Sequence, residues 1–145
     1  MKTYIFDIDG TIANTDHRVH HLGGDKKDWK SWYAKAHNDT PYWEIVDLMH
    51  LANDAGIAVI ICTGRDEKCR EETADWLNKH DLPYQRLYMR KLGDRRDDTI
   101  VKFEFLEQIY EDGYDPVLVF EDRDRVVKMW RDAGLKCLQV KPGEY

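Results

Sequence analysis

Two short runs, Ile57–Cys62 (IAVIIC) and Pro116–Phe120 (PVLVF), are apolar nearly throughout rather than at every second residue. A strand with that pattern is covered on both faces, which points to a parallel sheet with helices packed on either side. The rest of the chain alternates to match. Lys2–Ile8 reads as a strand, Tyr42–Ala55 as a helix with Ile45, Val46, Leu48, Met49 and Ala52 on one face and Gly56 closing it, and Asp66–His80 as a second helix. Gln85–Met89 follows as a short strand, Thr99–Asp112 as a helix, Arg123–Ala133 as a helix stopped by Gly134, and Lys136–Val140 as a last strand. About five strands interleaved with helices predict an α/β fold with a doubly wound parallel sheet, whose ligands bind at the carboxyl ends of its strands.

One stretch departs from the alternation. Residues from about 14 to 40 are too many for a strand-to-helix loop, and they place Trp29, Trp32 and Tyr33 at helical spacing. They read as a small lid, or cap, inserted after the first strand, although simple packing of the insert onto the body accounts for the same aromatics. The 145 residues otherwise fit one domain over 1–145, long enough for a core without disulfides. Cys62, Cys69 and Cys137 match no close metal-ligand spacing and read as reduced thiols, as expected of a cytoplasmic protein. The start MKTYIFDIDG is unlike a secretory signal and no apolar run reaches membrane-spanning length, so no membrane partner is expected. A formal net charge of −6 argues against nucleic-acid binding through bulk positive charge. Yet Arg86, Arg90, Lys91, Arg95 and Arg96 stand together against the single acid Asp94, a local cationic segment on an acidic chain.

Every predicted strand end bears chemically active side chains. The first gives Asp7 and Asp9, IAVIIC gives Thr63-Gly64-Arg65, the segment entering the long helix gives Asp98 and Lys102, and PVLVF gives Glu121, Asp122, Arg123 and Asp124. Taken singly these are turn and capping residues: Asp9-Gly10 a turn, Asp66 an N-cap, Asp122 a helix-start acid. Together at one edge of one sheet they describe a site for phosphate and a hard cation. Asp7 and Asp122 facing each other across adjacent strands repel unless a divalent cation lies between them, and ligands that are all oxygen favour Mg²⁺. The Thr63 hydroxyl, the Gly64 amide and the Lys102 ammonium can stabilise charge on a transferring phosphoryl group while Asp7 attacks to form an aspartyl-phosphate. Asp9, two residues on and on the same side of an extended chain, can protonate the leaving oxygen.

FDIDGT (6–11), the Thr63 of ICTGR, Lys102 and FEDRD (120–124) together resemble the four motifs of the haloacid dehalogenase superfamily of phosphotransferases. GDRRDDTIVKFEF (93–105) and the run from Val117 to Tyr145 are similar to the phosphatase domain of bacteriophage polynucleotide kinase 3′-phosphatases. The likeness covers essentially the whole chain and is weakest in the insert. It implies a Rossmann-like sheet of the haloacid dehalogenase type with a small cap. It makes Asp7 the nucleophile, Asp9 the general acid and base, Thr63 and Lys102 the phosphate binders, and Gly64 and Arg65 further substrate contacts. Asp98 would orient Lys102 at helical i, i+4 spacing, and Asp7, Asp9 and Asp122 would hold Mg²⁺. Where the family pairs Asp with Asp, this chain has Glu121-Asp122, and Asp122 is taken as the ligand. No GxxxxGK[ST] phosphate loop is present, so the expectation is a phosphatase half acting alone or beside a separately encoded kinase or ligase.

Three functions fit these residues: a phosphatase removing 3′-phosphates from polynucleotide ends, a nucleotidase acting on mononucleotides, and a phosphorelay receiver module. A receiver needs its phosphorylated Asp after the third strand, and Gln85–Met89 has none. The polynucleotide reading assigns Arg90, Lys91 and Arg96 to further backbone phosphates of the substrate. His17, His20 and His21, beside Gly23-Gly24, read as a solvated segment rather than a metal site, and Cys62 as a core thiol.

Overall fold

The computed structural model describes residues 1–24 and 26–145. In chain order its strands are β1 (Lys2–Phe6), β2 (Ala13–Asn14), β3 (Thr40–Pro41), β4 (Ala58–Asp66), β5 (Arg86–Arg90), β6 (Asp115–Glu121) and β7 (Lys136–Gln139). Its α-helices are α1 (Trp29–Ala34), α2 (Trp43–Asp54), α3 (Arg70–Lys79), α4 (Asp98–Glu111) and α5 (Asp124–Asp132). Five strands form one parallel sheet in the order β5-β4-β1-β6-β7. The α/β class and the doubly wound sheet read from the sequence are therefore those of the protein.

Alternation along the strands sorts the core into two layers. Phe6, Val59, Ile61 and Phe120 point to one face and pack with Ile45, Val46 and Met49 of α2 and Trp76 and Leu77 of α3. Ile5, Ile60, Cys62 and Val119 point to the other, against Leu106 and Ile109 of α4 and Val126, Val127 and Trp130 of α5. The strands are buried on both faces, hence their near-continuous apolar runs. Cys62 is a core thiol, and burial pushes it above its ordinary pKa. No described helix is long and apolar enough to cross a membrane.

Element boundaries differ from the sequence reading mainly at β4, which runs on to Asp66, beyond the apolar stretch. Its register against β5 shifts between Thr63 and Asp66, a bulge at Gly64-Arg65 that ends regular pairing at the sheet's edge. Asp66 consequently caps a short 3-10 turn, Glu67–Cys69, by accepting from Lys68 N–H at 2.9 Å, and α3 starts only after it. Because β1 lies between β4 and β6, the winding of the chain reverses at its carboxyl end. There Asp7 N–H donates to the Phe120 carbonyl at 3.1 Å.

The insert is tied at its base by the antiparallel pair β2–β3. Its aromatics divide. Trp32 is 2% exposed and lies 4.0 Å beneath the guanidinium of fully buried Arg18, which also donates to the Trp32 carbonyl at 3.0 Å. Trp76 of α3 donates to the Asp39 carbonyl at 3.0 Å, fastening the end of the insert to the body. Trp29 is 40% exposed and Tyr33 only half-buried. Trp32→Ala should thus cost about 3–5 kcal/mol, whereas Trp29→Ala should stay within about 0.5 kcal/mol. Thermal denaturation of the two variants checks this, and equal midpoints would show that Trp32 does not hold the insert.

Candidate active site

Asp7 follows the last residue of β1 and its carboxylate is 8% exposed. One oxygen accepts from Lys102 Nζ at 2.8 Å and the other from the Thr11 hydroxyl at 3.3 Å. Lys102 sits in the second turn of α4, buried, and donates also to Glu121 Oε2 at 2.8 Å. Burial opposes its charge, but the two carboxylates outweigh burial and raise its pKa. Asp7 is pushed up to about 8, by burial first and then by the charge of Glu121, with Lys102 only partly offsetting both. Asp122 is raised to about 7, again by burial and then by Asp7.

The residue after Asp9 must be glycine. Gly10 has φ +86°, and a Cβ there would run into the Asp122 carboxylate. Asp7, Glu121 and Asp122 each offer an oxygen within 4.8 Å of the others, a cluster of hard donors whose pKa values are raised by burial first and by neighbouring charges after it. Such a set fits a divalent cation. The Tyr145 hydroxyl donates to Asp122 Oδ2 at 2.8 Å and lies 3.3 Å from the Asp9 carbonyl oxygen.

Asp9 is held differently. Arg65 donates to both of its carboxylate oxygens, at 2.7 and 3.0 Å, and Arg18 to one of them at 2.6 Å. Burial would raise its pKa, but the two guanidiniums keep it below the usual carboxylate range. The same Arg18 forks onto Asp39, at 2.8 and 2.6 Å, and His17 meets that carboxylate at 2.6 Å. The insert therefore supplies one of the two cations that hold Asp9.

The structure also gives several of these residues partners that the sequence reading did not foresee. The Asp9 carboxylate lies outside the acidic cluster, where Glu121 stands instead, because both of its oxygens are taken by arginines. Arg65 is buried in that clamp, with a further bond to the Thr73 hydroxyl at 3.2 Å, and so positions Asp9. Asp98 does not orient Lys102: it accepts from Arg90 and, at 3.0 Å, from Arg123, while Glu121 is the lysine's second partner. Arg90 fastens loops, donating to the carbonyls of Gly64, Asp94 and Arg96. Arg96 is paired with Asp94 at 2.8 Å and Glu104 at 2.5 Å, and Lys91 is exposed and lies outside the lining of the cleft. Thr63 is fully buried, its hydroxyl accepting from the Arg65 amide at 3.2 Å. Gly64 lines the cleft, where a Cβ would strike Asp98. Sequence reasoning missed Arg18, Asp39 and Tyr145, which meet the site only through contacts distant in sequence.

The cleft over these residues has a volume of about 560 Å³. A doubly wound sheet with a buried carboxylate at its switch point, a lysine on that carboxylate and an acidic cluster beside it defines a phosphatase of the haloacid dehalogenase type, a hydrolase of phosphoric monoesters. Residues 1–145 match the model of the polynucleotide kinase PNKP phosphatase domain, and the chain belongs to that family. It is 26% identical over 132 residues to a protein of Autographa californica nuclear polyhedrosis virus described as a bifunctional polynucleotide kinase/RNA ligase, covering 90% of this chain and 18% of that one. A chain in the structure of a Pnkp1/Rnl/Hen1 complex superposes with a TM-score of 0.85 at 30% identity, over 99% of this chain and 47% of that one. The class C acid phosphatase of Bacillus anthracis shares the fold, with a TM-score of 0.68 at 16% identity over 99% of this chain and 67% of that one. The chain thus spans less than half the length of the first two.

Two outcomes follow. Raised carboxylates make the folded chain bind protons more tightly than the unfolded one. Without cation its stability should be highest near pH 4 and decline toward pH 8 as Asp122 and Asp7 ionise. Asp9, held low, acts in the opposite sense only at more acid pH. A divalent cation favours the ionised carboxylates, so Mg²⁺ should raise the melting temperature more at pH 8 than at pH 5. Melting curves in EDTA and in Mg²⁺ read this, and a Mg²⁺ effect independent of pH would contradict it. Arg90→Ala should cost about 2–3 kcal/mol, since it strips charged hydrogen bonds from three loops, while Lys91→Ala should be nearly neutral in the same assay.

Proposed function

We propose that this protein removes 3′-phosphates from polynucleotide ends in a Mg²⁺-dependent reaction through an aspartyl-phosphate. The match of the whole chain to the PNKP phosphatase family supports the substrate class. The placement of Asp7 between Lys102 and Thr11, next to a doubly clamped Asp9, supports the mechanism. Asp7 and Asp122 would hold Mg²⁺, with Glu121 retained by Lys102. When bound, the ion neutralises the carboxylates and draws charge from the phosphoryl oxygens.

In the first half-reaction an Asp7 oxygen bonds to phosphorus and the ester oxygen leaves. Lys102 keeps Asp7 oriented and lies beside the developing negative charge. Asp9 is ionised at rest because two guanidiniums hold it so. A phosphate dianion close by raises its proton affinity, which lets it carry the proton the departing oxygen takes. The resulting carboxylate then accepts a proton from water as water attacks phosphorus and the Asp7–phosphorus bond breaks. Arg18 and Arg65 fix the rotamer through both steps. Gly64 lines the cleft beside the phosphate, and buried Thr63 next to it accepts from the Arg65 amide. A separately encoded kinase or ligase is the partner class we propose, from the relatives' own descriptions.

The test compares rates on a 3′-phosphorylated oligonucleotide, a 5′-phosphorylated oligonucleotide and a panel of mononucleotides. We expect kcat/KM to be at least tenfold higher on the 3′-phosphorylated oligonucleotide. Equal or faster turnover of mononucleotides would establish the nucleotidase reading instead. Asp7→Asn and chelation of Mg²⁺ should each abolish turnover while the fold persists. Retained activity in folded Asp7→Asn would rule out the covalent route.

A further inference from the structure

In the cationic segment 86–96, Arg90 is held by loop carbonyls and Asp98, and Arg96 is paired with Asp94 and Glu104, although Arg95 and Arg96 still line the cleft. The cleft offers another surface. Trp29 is a large aromatic left 40% exposed on its wall, with its ring stacked on Tyr33 at 6.2 Å and 26°. Edge contact with buried Trp32, at 6.4 Å and 89°, holds the pair in place. Tyr33 lines the same cleft as Asp9 and Asp98, and its phenol is pushed above its ordinary value by burial and then by those two charges. The aromatic surface therefore begins beside the reacting groups and continues to Trp29.

Arg123 and Arg125 line the same cleft, and Lys27 stands beside its Trp29 wall. Lys27, on the insert, lies 5.7 Å from the centre of the Trp29 ring, and Arg125 comes from the first turn of α5. Lys27 is lowered from its ordinary value, by burial and then by the charges of Arg123 and Arg125, so the three lie within reach of one another's fields. Arg123 is engaged by Asp98 and by the Tyr145 carbonyl. Arg125 has Asp97 at 3.2 Å and remains half exposed, and Lys27 has no carboxylate partner among the described residues. Crowded like charges at the rim of a cleft are relieved by an anion.

We infer that this mouth is a subsite for single-stranded nucleic acid, in which the terminal base stacks on Trp29 and Tyr33 and the next backbone phosphates lie against Lys27 and Arg125. The inference rests on the proposed function and deepens it: the substrate is an unpaired end, because a base must leave its stack to lie on the indole. Stacking on an aromatic face is tolerant of sequence, so the subsite selects strandedness rather than base identity.

The experiment is equilibrium binding of a 5′-fluorescein-labelled single-stranded hexamer ending in a 3′-hydroxyl, in deoxy and ribo forms, followed by anisotropy against salt. This probe is product-like and is not turned over. Trp29→Ala should weaken binding about tenfold or more and leave the salt dependence alone, with Trp29→Phe restoring most of it. Lys27→Gln/Arg125→Gln should weaken binding and reduce the slope of log K against log salt by about 1.4, two single-strand phosphate contacts at about 0.7 each. All of these side chains are partly exposed, and melting curves verify that each variant folds. Wild-type binding by Trp29→Ala, or an unchanged slope in the double variant, overturns the subsite. If 3′-phosphates are removed while these variants bind like wild type, the subsite falls and the reaction stands. If the hexamer binds through Trp29 but 3′-phosphates are not removed, the reaction falls and the subsite stands.

Discussion

Lys102 is the cation on which the rest of the site depends. It brings one buried positive charge to two buried carboxylates, Asp7 and Glu121, each at 2.8 Å. Neither acid is tolerable there alone, and an unpaired buried charge costs several kcal/mol. The pairing is incomplete, since three acids meet one ammonium, and burial together with that imbalance raises Asp7 and Asp122 well above ordinary carboxylate values. Buried carboxylates in excess of positive charge suit a divalent cation. Function is thus written into the unfavourable part of the electrostatics, whereas the two apolar layers carry the fold.

The second acid obeys the opposite rule. Asp9 meets two guanidiniums, and one of them, Arg18, comes from the insert. Because Arg18 also grips Asp39 and stacks on Trp32, the position of the Asp9 carboxylate and the packing of the insert are one structural fact. Loosening the insert would free a guanidinium from Asp9 and let its proton affinity rise. The insert therefore helps set the position and charge of Asp9 whether or not it touches substrate.

The sheet was legible in the sequence because burial on both faces leaves unbroken apolar runs, and the turn at Gly10 and the acids at strand ends were legible because they are local. Asp7, Asp9 and Lys102 came into view through spacing at the ends of predicted elements. What stayed hidden depends on contacts distant in sequence: Arg18 to Asp39, Trp76 to the Asp39 carbonyl, Tyr145 to Asp122. The cationic segment divides for the same reason, with Arg90 turned to loop carbonyls while Arg95 and Arg96 also line the cleft. Charge density along a sequence does not say whether a guanidinium faces solvent or loop carbonyls, and for Arg90 the carbonyls of Gly64, Asp94 and Arg96 won. Helical i, i+4 spacing put Asp98 beside Lys102 on α4, yet two arginines from elsewhere in the chain compete for Asp98, and Glu121 serves the lysine.

The pair Glu121-Asp122 shows how strand geometry divides one dipeptide between two tasks. Successive side chains on β6 point to opposite faces. Glu121 shares the face of Val119, toward α4 and α5, so it meets Lys102, and Trp130 Nε1 donates to it at 3.5 Å. Its other oxygen accepts from the amides of Asp122 and Arg123, at 3.2 and 3.5 Å, which holds the chain in the turn that opens α5. Asp122 points the other way, toward Thr11, Gly10 and the Tyr145 hydroxyl, and so it completes the side of the cluster that faces Asp7. Glu121 thus spans Lys102 with one oxygen and the two amides with the other. The longer acid holds a lysine and a turn at once, and the shorter one beside it turns to Thr11 and Tyr145 while both stay in the acidic cluster with Asp7.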